Sequence, residues 1–138
     1  MAEYKCKLLR GLFAQAKNVI NSAGGSVEEL SNNSETEHII GKWIDGTTLY
    51  EKTIDCGGLP SSGNKTVVHN ISNLNKIVEI RGIAIRPGVS WYPLPFTTAG
   101  GNAIGIDVNS TTVILRVGST DYSNYTESYM TLRYTKTV

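Results

Sequence analysis

The chain has 138 residues, enough for one domain with a short appendage, and a compact chain of that length buries about two-thirds of its unfolded surface. Charged residues make up 18%, below the usual ~25%, and 13 basic residues against 12 acidic ones leave a net charge of +1. That balance excludes a global electrostatic pull toward nucleic acid or anionic lipid, and no run approaches the ~18 apolar residues of a membrane span.

Residues 5–20, KCKLLRGLFAQAKNVI, read as an amphipathic helix. Leu8, Leu9, Leu12, Phe13, Ala16, Val19 and Ile20 fall on one side, and Leu9, Leu12, Ala16 and Val19 follow the spacing of a coiled-coil seam. Two heptads are too short to persist alone in water, so this helix must dock on its own domain, on sister chains or on a larger partner. Its apolar residues are interrupted by Lys7, Arg10, Gln15 and Lys17, which leaves no secretory core and points to synthesis in a cytoplasm. Charge is uneven here: four bases against Glu3 in residues 1–20, then Glu28, Glu29, Glu35 and Glu37 with no base in residues 21–40. Gly24-Gly25 ends the helix, Ser26 and Glu29 sit at capping-box spacing, and SNNSETE (31–37) is a polar linker. Residues 1–37 are therefore an N-terminal segment and residues 38–138 a separate domain.

From residue 38 the texture becomes short β-type runs, near 38–44, 47–56, 65–71, 76–86, 90–96, 103–108, 111–117 and 128–136. Short strands with Gly/Pro/Asn/Ser turns predict a mainly β fold, a jelly-roll-like antiparallel β-sandwich of about eight strands. Asp45-Gly46 in KWIDGTTLY marks a tight hairpin, with a type I′ turn expected. Period-2 alternation turns Ile104, Ile106 and Val108 inward, with Val113, Leu115 and Val117, and with Met130, Leu132 and Tyr134. Asn109-Ser110 is the expected connection between two of these strands.

The run KIVEIRGIAIR (76–86) breaks the pattern, since Val78 and Ile80 share a face that Ile83 and Ile85 do not. One inserted residue at Gly82 restores all four to the core, so a bulge is expected there. Pro87, Pro93 and Pro95 confine residues 87–96 to an edge or irregular stretch.

The search for chemistry returns no catalytic residue, no metal ligand set and no cofactor motif. Glycosidases need two carboxylates across a cleft; Glu51 and Asp55 share a strand face with Thr53, the pattern of a solvent side. His38 and His69 are isolated, and Cys6 and Cys56 lack metal spacing and are expected as free thiols. Five glycosylation sequons, beginning at Asn32, Asn64, Asn70, Asn109 and Asn124, are expected as by-products of a polar surface. For ligand contact, GSTDYSNYTESY offers Tyr122 and Tyr125 in a composition suited to adaptable recognition, followed by Trp91 and Tyr92 in VSWYPLPF. The competing reading has Trp91 and Phe96 closing the sandwich end and the tyrosines lining an oligomer seam.

IIGKWIDGTTLYEKTIDCGGLP, NKTVVHNISNLNKIVEIRG and YMTLRYTKT together resemble a β-module of phage and prophage structural proteins of gut bacteria. There it looks like the terminal domain of tail fibres, head fibres or baseplate receptor-binding proteins, and the likeness covers about residues 36–138. MAEYKCKLLRGLFAQAKNVI resembles the leader of short stand-alone members. The resemblance implies a non-enzymatic virion protein, a homotrimer anchored to other virion proteins through Leu8, Leu9, Leu12, Phe13, Ala16 and Val19. It also implies a role in attachment to a host surface, with a host glycan as possible ligand and no nucleic acid or inserted membrane as partner. The alternative is a carbohydrate-binding module without virion anchorage.

Overall fold

The computed structural model describes residues 35–138. The N-terminal helix and its residues Leu8, Leu9, Leu12, Phe13, Ala16 and Val19, together with Cys6, lie outside the described residues.

Among the described residues nine strands follow in chain order: β1 (His38–Lys42), β2 (Thr48–Asp55), β3 (Gly63–Val68), β4 (Leu74–Arg86), β5 (Ser90–Leu94), β6 (Phe96–Thr97), β7 (Ala103–Val108), β8 (Thr112–Gly118) and β9 (Glu127–Lys136). One sheet has the order β1-β2-β9-β4-β5 and the other β3-β8-β7-β6, with every pairing antiparallel. The chain changes sheet between β2 and β3, between β3 and β4, between β5 and β6, and between β8 and β9, as in a jelly roll. The mainly β sandwich expected from the sequence is the fold observed.

The core lies between the sheets. Met130, Leu132 and Tyr134 of β9 and Ile54 of β2 meet Ile104, Val113, Leu115 and Val117 of the second sheet, all buried. Ile106 and Val108 pack partly buried against them, so the alternating faces read from the sequence stand. Tyr50 stacks on Tyr134 with ring centroids 5.9 Å apart. β5, with Pro93, lies at the edge of its sheet, where a missing backbone donor is tolerated.

Three local expectations change. The β1–β2 hairpin has a three-residue loop, Ile44–Gly46, closed by Trp43 N–H to Thr47 O and Gly46 N–H to Trp43 O, both 2.9 Å. Only Gly46 there has positive φ (83°), so the turn is not type I′. Asp45 Oδ1 instead accepts the Thr47 N–H and hydroxyl, which holds its carboxyl below the usual range. The β7–β8 turn is centred on Ser110-Thr111, one residue later than expected, because Asn109 pairs with Thr112 and its Oδ1 accepts the Thr111 and Thr112 N–H groups.

The bulge in β4 is not at Gly82. The β4–β9 ladder runs regularly from Glu79↔Arg133 to Ile85↔Glu127, and the register slips instead between Leu74 and Lys76 and again between Ile77 and Glu79, where Val78 is the extra residue. Gly82 keeps its place because its partner Met130 needs the room: a Cβ there would meet Met130 Sδ at 2.2 Å and the Tyr129 carbonyl oxygen at 2.6 Å. Ile83 and Ile85 consequently stay on the outer face.

Candidate functional site

Cross-strand pairing fixes the outer face of the five-stranded sheet row by row, because paired residues of an antiparallel ladder share a face. At one end His38, Glu51, Arg133 and Glu79 stand side by side across β1, β2, β9 and β4. The next row is Thr53, Thr131 and Arg81, followed by Asp55, Tyr129, Ile83 and Pro93, and then by Glu127, Ile85 and Trp91. The face is therefore divided along the strands: the His38–Glu51–Arg133–Glu79 row is charged, and the rows holding Ile83 and Ile85 are more apolar.

The charged part is internally neutralised. Glu51, whose side chain is only 7% exposed, accepts Arg133 Nε at 2.7 Å and Arg81 Nη2 at 3.3 Å, with His38 Nε2 3.7 Å away. Glu79 takes Arg133 Nη1 at 3.0 Å and Arg81 Nη1 at 3.4 Å. Two carboxylates thus face two guanidiniums, and the hydrogen bond to Glu51, aided by Glu79, holds Arg133 above its ordinary pKa. Below them the Thr53 and Thr131 hydroxyls bond to each other at 2.8 Å. Glu51 is the buried carboxylate of an ion-pair network, and Asp55 is exposed, with Oδ1 accepting the Gly57 N–H; the two do not make an acid–base pair across a cleft.

The apolar part is open. Trp91 is 64% exposed and Ile83 37%, with Ile85 and Tyr129 partly covered. A trough of about 400 Å³ runs between the threonine row and the isoleucine row, floored by Gly82 and lined by Thr53, Arg81, Ile83, Tyr129 and Thr131. At the adjoining β4–β5 turn Val89 is exposed as well.

Of the four ligand-contact residues expected from the sequence, Trp91 is exposed and Tyr92 partly buried. Tyr122 and Tyr125 are 6% exposed each, and this corrects their reading as contact residues. The β8–β9 connection has to cross from one sheet to the other over the end of the sandwich, and its rings point into the core on the way. Tyr92 stacks 4.7 Å from Tyr125 and 4.4 Å from Phe96, and Phe96 meets Tyr122 edge-on at 5.9 Å. Tyr125 hydroxyl is bonded to Ser90 Oγ at 2.9 Å, and the loop is tied down by Leu59 N–H to Tyr125 O and Tyr122 N–H to Pro60 O. Phe96 does help close this end, whereas Trp91, one residue out of phase with Tyr92, does not.

His69 is buried as a backbone staple, accepting the Ile71 N–H at Nδ1 and donating from Nε2 to the Asn109 carbonyl. Beside it, a polar cleft of about 260 Å³ between the edges of β2 and β3 is plugged by Lys52, whose ammonium donates to the His69 carbonyl at 2.9 Å. Cys56 is a free, buried thiol, and no group of three potential metal ligands occurs among the described residues.

The residues that sequence reasoning missed are Ile83, Ile85 and Tyr129. The signal of the two isoleucines was present in the broken alternation of KIVEIRGIAIR, which put them on the other face; Tyr129 had none there. No family model matches the chain, and neither a curated protein nor a solved structure does.

Proposed function

We propose that the chain is a structural appendage of a phage virion, a short homotrimeric fibre on tail or head. Its N-terminal segment anchors it and its β-domain faces outward, contributing to host-surface attachment without enzymatic activity. The observation that carries this reading is the outer face of the β1-β2-β9-β4-β5 sheet: an open apolar stripe beside ion pairs that neutralise one another. A sheet face meant only for water alternates to polar residues, and this one is built to be covered. The resemblance of residues 36–138 to phage fibre modules supplies the setting.

Deleting residues 1–25 tests the anchor. Particles assembled with the truncated chain should lack it, while the purified truncated protein keeps the β-sheet circular dichroism of the full chain. Normal incorporation of the truncated chain would sink the anchor. A second reading, carbohydrate binding without virion anchorage, is favoured by the exposed Trp91 indole, a flat platform for the apolar face of a sugar. Loss of glycan-array signal in Trp91→Ala, together with normal particle incorporation after the deletion, would favour that reading.

A further inference from the structure

We propose that a polar trough on the outer face of the β3-β8-β7-β6 sheet binds a neutral saccharide. The inference rests on the attachment reading above and places the sugar on the sheet opposite Trp91.

The trough, about 350 Å³, lies where the β6–β7 turn and the β8–β9 loop flank the start of β7 and the end of β8. Its floor is short of side chains. Gly105 and Asn64 stand on either side of Arg116, and in the next row Gly118 faces Gly63. Gly118 has a φ of 64°, so its backbone alone calls for glycine. Gly105 has no such reason. Its φ is not positive, and a Cβ there would lie 3.8 Å from Arg116 Cβ, an ordinary contact. Backbone and packing would both accept a larger residue; what glycine preserves at 105 is the depth of the trough.

The polar groups around that floor select the ligand. Arg116 is held from two sides, its Nε donating to Asp107 and its Nη1 to Asn64 Oδ1 at 3.0 Å. A guanidinium has more donors than these two acceptors take, which leaves the others for a ligand. The side chains of Asn102, Ser119 and Thr120 also line the trough or its ends and make no hydrogen bond among the described residues. On the opposite sheet, by contrast, Thr53 and Thr131 bond to each other and the arginines are taken by Glu51 and Glu79. Asp107 cancels the charge of Arg116, so the trough has no net charge with which to gather an anion. Arginine only donates, aspartate only accepts, and the amide and hydroxyls do both. That mixture suits a ring of hydroxyls, each of which donates and accepts, with the C–H face of the ring laid on Ala103, Gly105 and Gly118.

The experiment titrates the isotope-labelled full chain with the methyl glycosides of glucose, galactose, mannose and N-acetylglucosamine and follows the amide and indole NMR signals. The expected result is that at least one glycoside shifts Gly105, Gly118 and Thr120 saturably and leaves the Trp91 indole in place. Gly105→Val, which suits a strand, should keep the urea midpoint and abolish the saturable shifts. Ser119→Ala combined with Thr120→Ala, which removes only loop hydroxyls, should weaken the same glycoside severalfold even if the valine variant fails to fold. Ile44→Ser, at the exposed tip of the β1–β2 hairpin, should leave binding unchanged. Absence of a saturable shift with every glycoside overturns the proposal. So does full binding in a folded Gly105→Val chain, and so do shifts centred on the Trp91 indole, which would place the sugar on the other sheet. Tighter binding of inorganic phosphate than of any glycoside overturns it in favour of an anion site at Arg116. The titration is read on purified protein and the deletion of residues 1–25 on particles, so the site and the anchor fail separately.

Discussion

Gly82 and Cys56 show how single atoms set the behaviour of this sheet. Gly82 has an ordinary strand conformation, so space rather than backbone freedom demands glycine there: a methyl group would reach Met130 Sδ and, less avoidably, the Tyr129 carbonyl of the neighbouring strand. Gly82→Ala should cost about 2–4 kcal/mol in urea unfolding, because β4 and β9 must part at their middle. Adding Met130→Ala should not rescue it, since the carbonyl contact remains; a neutral Gly82→Ala would show that the ladder yields locally. Cys56, just past β2, donates its N–H to the Ser128 carbonyl of β9, and burial pushes its thiol from 9.0 up to about 11. A group whose folded pKa is raised stabilises the fold fully below the unfolded value and loses that contribution as pH climbs through the folded one. The urea midpoint should therefore fall between pH 9 and 11, with roughly 2–3 kcal/mol of the loss due to this thiol. Cys56→Ala should flatten that part of the decline and leave the part due to Tyr134, whose hydroxyl is likewise raised by burial and by its bond to Glu37. An unchanged slope in Cys56→Ala would mean that the thiol ionises without resistance in the folded chain.

At the scale of elements, strands were legible wherever one side faces the core and the other water. β7 and β8 alternate because that condition holds along most of their length, β9 alternates in its letters although Thr131 and Thr135 on its other face are buried too, and Asp45-Gly46 marked its hairpin because glycine supplies the left-handed residue of that loop. Where a face is reserved for something other than water, the rule misleads. In β4 the slip at Val78 and the outward isoleucines give the same letters as a bulge at Gly82 with every isoleucine inside. Only the size of Met130 opposite Gly82 separates the two, and that is a tertiary fact. The loop GSTDYSNYTESY misled for a related reason: tyrosine suits a recognition surface and a sandwich end equally well, and the change of sheet between β8 and β9 decides between them. Glu37, just before β1, gave no signal at all. Its carboxylate accepts the Tyr134 hydroxyl at 2.6 Å and Lys136 Nζ at 2.5 Å, fastening the start of the domain to its central strand. Glu37→Ala leaves a buried phenol without its acceptor and should cost about 1–3 kcal/mol by urea unfolding. Glu37→Gln, which keeps an acceptor oxygen, should recover part of that loss. Equal losses in the two variants would assign the effect to charge rather than to the phenol.

For the whole molecule the governing fact is the position of β9. It is the last strand in the chain order and lies between β2 and β4, with Met130, Leu132 and Tyr134 fully buried. Arg133 meets Glu51 across a sequence separation of 82 residues, so neither β2 nor β4 has its central neighbour until β9 arrives. Loop-closure entropy must be met before such pairings stabilise anything, which puts folding in the millisecond-to-second range of non-local β proteins. The hydrophobic contacts of β9 should then already be present at the barrier. Leu132→Ala, which empties a fully buried site, should destabilise by about 2–5 kcal/mol and express most of that loss as slower refolding in stopped-flow experiments. Ile39→Ala on edge strand β1, more than half exposed, should act weakly and through the unfolding rate. If Leu132→Ala leaves the refolding rate intact and only accelerates unfolding, the sandwich assembles before β9 docks. Deleting residues 127–138 would then leave a cooperatively folded remnant instead of the unfolded chain expected from the central place of β9.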